Sequence, residues 1–464
     1  MEIPVEEVLV QIAQVVGSQY VLRDASVLAS YGADGFTLEN VPPRAVILPG
    51  NADEVAETVR LLAGAGVPFL ARGAGTSLSG GAIARQGAVI VHLSRMSRIL
   101  SVDLKNGMVE CEPGVVNRTI SQRVAPDGFF YAPDPSSGQA CTIGGNVAEN
   151  AGGPHCLKYG VTANHILMVE LVLADGERVR VGHLAAYPDP IDFLGLMLGS
   201  EGTFAVVTRV WVRVIRIPPS QSTVMALFDQ VAGASQAVSA IISAGIIPAS
   251  IEMMDQLAIS AVEQGTYRVG YPPDVAAVLL IEVDGSSVEV QSDTEAVLAI
   301  LAKFHPRSVQ TPHSEAEREL WWANRKTAFG AMGLISPRYY VQDGVIPRSR
   351  LPEVLERIAA IAERYRIRIA NVFHAGDGNL HPLLLYDDRD PDQVARVIQA
   401  GSEVLRVCVE VGGSITGEHG VGLEKLQEMS LQFSPEELQA LRGLKASFDP
   451  QGLLNPGKVL PESP

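Results

Sequence analysis

The sequence predicts an α+β protein built in two main parts. Short strand-like runs and glycine-rich segments alternate as far as about residue 218, with few long helical stretches. Ile217-Pro-Pro-Ser220 then interrupts the pattern, as paired prolines do. Beyond it, runs rich in β-branched residues alternate with helical spacing, the rhythm of helices laid on one face of a sheet. A chain of 464 residues holds two or three such domains and buries a core that needs no disulfide or structural metal.

In chain order, residues 5–17 read as a short amphipathic helix and residues 44–49 as a strand. Asn51 and Asp53 offer caps for a helix that runs to residue 63. Strands follow at 67–71 and 88–93, with a glycine-rich loop between them, and a further strand at 204–214. Past the proline pair, strands are expected at 223–228, 249–253, 276–283, 338–345 and 367–373. Helices are expected at 235–244, 288–304 and 351–364. Ser434-Pro-Glu-Glu437 is a capping sequence for a last helix to residue 448.

Composition narrows the function. The net charge of −16 repels a phosphate backbone, so nucleic acid is not an expected partner. An anionic small substrate would need a local positive site. The four cysteines, Cys111, Cys141, Cys156 and Cys408, form no C-x-x-C pair. They suit neither a disulfide framework nor an iron–sulfur cluster, which a partner subunit would have to carry. The acidic N-terminus is unlike a signal peptide, and no apolar run reaches membrane-spanning length. A cytoplasmic protein is expected, peripheral to a membrane only through partners.

Three segments carry the first candidate site. Arg72-Gly-Ala-Gly-Thr-Ser-Leu-Ser-Gly-Gly81 follows a strand, and its amides can form a nest for an anion such as phosphate. It is neither a dinucleotide fingerprint nor a Walker A loop, since the third glycine is misplaced and no Gly-Lys-Ser/Thr closes it. Read alone, it fits an ordinary turn equally well. The segment from Asp134 to Pro154 sets glycines and asparagines among small residues, which suits a ligand to wrap. Gly199-Ser-Glu-Gly-Thr203 is the third piece.

Together these pieces resemble the FAD-binding domain of the vanillyl-alcohol oxidase and p-cresol methylhydroxylase type. The resemblance implies a two-lobed FAD domain, with the first loop at the pyrophosphate and the second segment along the isoalloxazine and ribityl chain. The implied contacts are Arg72, Gly73, Ala74, Gly75, Thr76 and Ser77, then Pro133, Asp134, Pro135 and Ser137. Ile143, Gly144, Gly145, Asn146, Asn150, Glu201, Gly202 and Asn455 complete them. The first loop has no His or Cys for covalent attachment, so non-covalent FAD is expected.

The second candidate site is His374-Ala-Gly-Asp-Gly-Asn-Leu-His381, with Gly417-Glu-His-Gly-Val-Gly422 downstream. Gly-Asp-Gly-Asn is turn chemistry, so the segment reads as strand, turn, strand, on which the two histidines can converge. Two histidines and a carboxylate can fill three positions around a metal and leave one open. The other reading is of histidines satisfied within loops.

These motifs resemble the C-terminal domain of the FAD-linked oxidases, which include glycolate oxidase D subunits, D-lactate dehydrogenases and D-2-hydroxyglutarate dehydrogenases. With the first site, the resemblance spans about residues 40–460. It implies an FAD domain at 1–218 and a cap with an antiparallel sheet at 219–412. It also implies a tail, 413–464, that returns to the FAD domain and completes the active site. His374, His381 and Glu418 would hold a divalent metal, zinc first among them. His419 would be the general base, Asn379 would lie near the substrate, and Arg325 would bind its carboxylate. Phe329 and Val341 stand near where the D-2-hydroxyglutarate enzymes keep extra polar groups, which favours a short monocarboxylate such as glycolate or D-lactate. Tyr339 and Tyr340 either line that pocket or pack as strand aromatics.

The implied reaction is oxidation of a small D-2-hydroxy acid to the 2-oxo acid, with metal-assisted deprotonation by His419 and hydride transfer to flavin N5. Electrons would leave through an iron–sulfur or flavin partner subunit or another acceptor, and an oligomer is expected. The alternatives are D-2-hydroxyglutarate or another 2-hydroxy acid as substrate, a non-catalytic flavin subunit, a non-redox ether-lipid synthase, and a metal-dependent hydrolase without flavin.

Overall fold

The computed structural model describes residues 4–185 and 191–462. Met1, Glu2 and Ile3, part of the acidic N-terminus read above, lie outside them. The chain forms two compact units.

The first unit comprises the described residues of Met1–Gly152, Gly160–Ile217 and Glu418–Pro464. The helix Val5–Val16 turns Val8, Leu9, Ile12 and Val16 inward, a spacing that puts four apolar side chains on one face. They join a core with Ile47, Val55, Val59, Leu62, Phe69 and Val91. The helix Ala52–Gly64 starts at Asn51, whose side chain accepts the Glu54 amide at 3.0 Å. Asp53, the other expected cap, is an ion-pair partner of Arg178 instead. Val46–Ile47, Val89–His92 and Phe69–Arg72 run parallel, with Val21–Leu22 antiparallel at the edge.

A second sheet in this unit is fully antiparallel, in the order Ile99–Asp103, Met108–Cys111, Val206–Arg213, Ile166–Val172 and Arg178–Gly182. The tail contributes the helix Pro435–Phe448, closed at its start by the reciprocal Ser434–Glu437 capping box. Leu454 then bridges in parallel to Phe69, and the Asn455 amide donates to the Phe69 carbonyl at 2.7 Å.

The second unit comprises Gly153–Tyr159 and Pro218–Gly417. Apart from a start one residue earlier, at Pro218, its limits differ from the expected 219–412 in two places. Residues 413–417 stay with it because Val345 and Ser414 pair and the Gly417 amide donates to Asp343. Residues 153–159 join it through strand Ala277–Gly285: Tyr159 donates to Asp284 at 2.6 Å, Lys158 pairs with Asp284, and His155 lies 3.4 Å from Glu282.

The sheet of this unit is antiparallel throughout. Its order is Ser308–Gln310, Ser220–Phe228, Ala277–Gly285, Ser250–Asp255 and Arg368–His374, continuing to Asn379–Leu380 and Gly344–Val345. Pro382–Tyr386 pairs with Arg368–His374 and with Arg338–Val341. The expectation of helices on one face is corrected here, because both faces are covered. Met225, Leu227, Val278 and Leu280 pack with Trp321, Trp322 and Ala258, while the intervening Val224, Ala226, Leu279 and Ile281 are buried as well. Helices Val231–Ser243 and Ser287–Leu301 run against those strands. The cause is visible in Ala277-Val-Leu-Leu-Ile281, a continuous apolar run rather than an alternating one.

Candidate active site

In the first unit the three small-residue segments adjoin. The loop after Phe69–Arg72 bends at Gly75, where φ is +70° and a Cβ would lie 2.3 Å from the Arg72 guanidinium. Gly73 abuts the second segment, where a Cβ would stand 2.2 Å from Thr142 Oγ1. Arg72 is buried and spends its guanidinium on backbone, donating to the carbonyls of Tyr31, Ala33 and Ala82 at 2.7–3.0 Å. It shapes the loop from within. The amides of residues 74–78, by contrast, meet no acceptor among the described residues. A half-buried run of open N–H donors on a glycine turn is a fit for phosphate oxygens.

Thr142 caps a short helix, Ile143–Glu149, inside the segment expected only to wrap a ligand. Asn150 ends it in the left-handed conformation and accepts the Ala163 amide. Asn117, which sequence reading did not single out, ties the two stretches together. Its Nδ2 donates to the Pro133 carbonyl at 3.1 Å and to Asn146 Oδ1 at 3.0 Å. Pro135 and Ser137 sit in turns closed by the amides of Gly138 and of Ala140 and Cys141.

Glu201 and Gly202 both have positive φ. The Glu201 carboxylate accepts the amides of Val421 and Gly422, each at 2.7 Å, so this side chain anchors the Gly417–Gly422 motif. Asn455 Nδ2 donates to the carbonyls of Gly81 and Glu201. Ser79 Oγ donates to the His419 carbonyl at 2.9 Å, and His419 Nε2 lies 3.8 Å from Glu418 Oε1. Burial raises the carboxyls of Glu149 and Glu201, and for Glu149 the charge of Glu201 adds to the effect. Burial also lifts Asp34 to about 6, although the Phe36 and Ala82 amides and Arg72 pull the other way.

In the second unit the expected residues converge on the end of strand Arg368–His374. Asp377 accepts the Asn379 amide at 3.0 Å, and Gly378 takes φ +87° where a Cβ would strike the Ile346 carbonyl at 2.2 Å. This turn pairs His374 with Asn379 and brings the imidazoles of His374 and His381 to 5.1 Å between centroids, nearly perpendicular. Asn379 Nδ2 donates to Asp343 Oδ1 at 2.8 Å, and His381 Nε2 lies 3.4 Å from the same oxygen. Asp343 is fully buried and also accepts from the Thr416 hydroxyl and the Gly417 amide. Sequence reading missed Asp343.

Arg325 lies on the inner side of helix Glu315–Lys326, not on its surface, and is buried. Its Nη2 forms a contact ion pair with Glu252 at 2.5 Å, yet Nε and Nη2 reach no acceptor in hydrogen-bond geometry. Glu252 was missed as well. Burial opposes its ionisation, but Arg325 and His374 outweigh burial and hold its carboxyl at about 2. Phe329 sets its ring edge-on to His381 and to Tyr339. Tyr339 packs on the core, and burial raises its phenol.

One unit carries a nest of open amides and the other a histidine–arginine cluster. In fold, p-cresol methylhydroxylase with substrate bound superposes with a TM-score of 0.83 at 16% identity, over 99% of this chain and 97% of that one. An alkyldihydroxyacetonephosphate synthase gives 0.77 at 17%, over 98% and 86%.

Residues 43–182 match the FAD binding domain family, and residues 217–459 match the family of FAD linked oxidases, C-terminal domain. The chain therefore belongs to the FAD-linked oxidases and is an FAD-dependent oxidoreductase. It is 46% identical to glycolate oxidase subunit GlcD of Escherichia coli (strain K12), over 98% of this chain and 91% of that protein. It is 40% identical to GlcD of Bacillus subtilis (strain 168), over 90% and 89%. The D-lactate dehydrogenase of Anaerostipes hadrus is 29% identical over the same shares. The flavin-free hydrolase reading falls with this assignment. Among the described residues no helix is long and apolar enough to cross a membrane.

Proposed function

We propose that the protein oxidises a small 2-hydroxy acid, glycolate or D-lactate, to the 2-oxo acid. The observation that carries this reading is Arg325: a buried guanidinium paired through one nitrogen with Glu252, the partner of His374, while its Nε reaches no acceptor in hydrogen-bond geometry. A planar fork of N–H groups suits a carboxylate, and burial strengthens the pairing. Likeness to the GlcD subunits and to D-lactate dehydrogenase supports the same substrate class.

His374 and His381 are the first two ligands proposed for a divalent cation. A carboxylate can only accept, so the bond to Glu252 places a proton on His374 Nδ1 and leaves Nε2 as its lone-pair donor. Glu418 is the proposed third ligand, one peptide bond beyond Gly417, whose amide Asp343 holds. Such a cation, when bound, supplies Lewis-acid polarisation of the hydroxyl oxygen. FAD, bound non-covalently, supplies the two-electron acceptor. Asn379, fixed by Asp343, donates toward the substrate, and His419 takes the hydroxyl proton on a ring nitrogen. Phe329 closes the site with an apolar ring that offers nothing to a second carboxylate, which favours a short acid over D-2-hydroxyglutarate.

The test is an anaerobic visible spectrum of the purified protein before and after glycolate, D-lactate, L-lactate and D-2-hydroxyglutarate. A flavin band that glycolate or D-lactate bleaches and L-lactate does not is the expected result. A flavin band that none of the four bleaches overturns the substrate class.

A further inference from the structure

Glu252 sits in the middle of strand Ser250–Asp255, among Ile251, Met253 and Met254, and is 1% exposed. The antiparallel register sets it directly opposite His374. One of its oxygens, Oε1, accepts from His374 Nδ1 at 2.7 Å and from Ser250 Oγ at 3.1 Å. The other, Oε2, is the counterion of Arg325. A buried carboxylate is costly unless both its oxygens are used, and here each serves a different functional side chain.

We infer that Glu252 is a positioning residue that couples the two recognition groups of the site. Through Oε1 it aims His374 at a divalent cation, and through Oε2 it sets where the Arg325 fork meets the substrate carboxylate. The inference rests on the function proposed above. It adds that the cation and the substrate carboxylate are held in register by one side chain.

The test uses the full chain with FAD bound, stripped of metal by a chelator and titrated with Mn²⁺, the free ion being read by electron paramagnetic resonance. Kinetics on glycolate and D-lactate run in parallel. Glu252→Gln keeps the volume and removes the charge. Its Mn²⁺ affinity is expected to fall about 10–100-fold, the usual cost of losing a carboxylate behind a ligating histidine. Excess Mn²⁺ should restore kcat, while KM stays shifted because Arg325 has lost its counterion. A purely structural role would lower the melting temperature and leave Mn²⁺ affinity alone.

Glu252→Asp, which keeps the charge but withdraws it by one methylene, decides the matter if the Gln variant does not fold. It should weaken Mn²⁺ in the same direction. Affinity within about twofold of wild type in a folded variant, where His374→Ala has lost Mn²⁺, overturns the role of Glu252 and leaves the cation site standing. Unchanged Mn²⁺ binding in His374→Ala removes the cation site itself, and this inference with it.

Discussion

The loop after strand Phe69–Arg72 and the turn after strand Arg368–His374 are alike in sequence, since each sets glycines among small or polar residues at the end of a strand. They are opposites in construction. The first turns its charged side chain inward, with Arg72 holding three carbonyls, and leaves a run of backbone amides open. The second closes its backbone through the Asp377–Asn379 bond and the His374–Asn379 pairing, and presents side chains. One loop offers main-chain donors and the other offers imidazoles. Substitutions should therefore separate them: side-chain losses matter at the second, and backbone conformation matters at the first.

The largest effect is expected for His419→Ala. Loss of a general base should lower kcat by about a thousandfold while the flavin spectrum stays intact. Near-normal turnover would remove His419 from the proposed chemistry. Next, Arg325→Met should raise KM for the hydroxy acid by about 10–100-fold, the value of one or two charge-assisted hydrogen bonds. An unchanged KM would mean that the carboxylate is held elsewhere.

Gly75→Ala forces a side chain into a left-handed position against Arg72. The strain, about 1–3 kcal/mol, should appear as an FAD affinity weaker by about 5–150-fold in a reconstitution titration. Thr76→Ala, a few atoms away, should change that affinity by less than about threefold if the main chain does the binding. A larger loss in Thr76→Ala than in Gly75→Ala would break the comparison.

The smallest effect concerns pH. Asp34 rises from 3.8 to about 6 in the folded chain, so the native state keeps a proton that the unfolded chain releases. Its stabilising contribution is complete below pH 3.8 and is lost as pH rises through about 6. Asp34→Asn should flatten the melting temperature between pH 4 and 7 by on the order of 2–4 °C relative to wild type. Parallel curves would show that Asp34 does not carry this dependence.

Much of this contrast was legible in the chain. The strand–turn–strand reading of 367–381, the Ser434 cap and the strand before the glycine loop all rest on local chemistry, and the structure has each of them. Local signals also existed for the helix Pro391–Glu410, where Asp390 caps and Pro391 leads, but the reading passed over them. Glu252 was different in kind. It lies 122 residues from His374, and nothing in Ile251-Glu-Met-Met254 marks it apart from one charge in an apolar strand. That anomaly, a carboxylate where burial is expected, was the only available sign. Asp343 and Asn117 are likewise defined by partners distant in the chain, which sheet register supplies and spacing does not.

The chain passes from one compact unit to the other four times, at 152/153, 159/160, 217/218 and 417/418. Residues 153–159 belong by packing to the second unit, although the expected boundary places them within the 1–218 domain. A cap exchanged with that of a relative at 217/218 and 417/418 alone would leave behind the Lys158 and Tyr159 that grip Asp284. A working chimera should need a second graft, the seven residues from Gly153 to Tyr159. The second unit is thus encoded by a discontinuous piece of gene, and recombination at a single crossover would seldom deliver it whole.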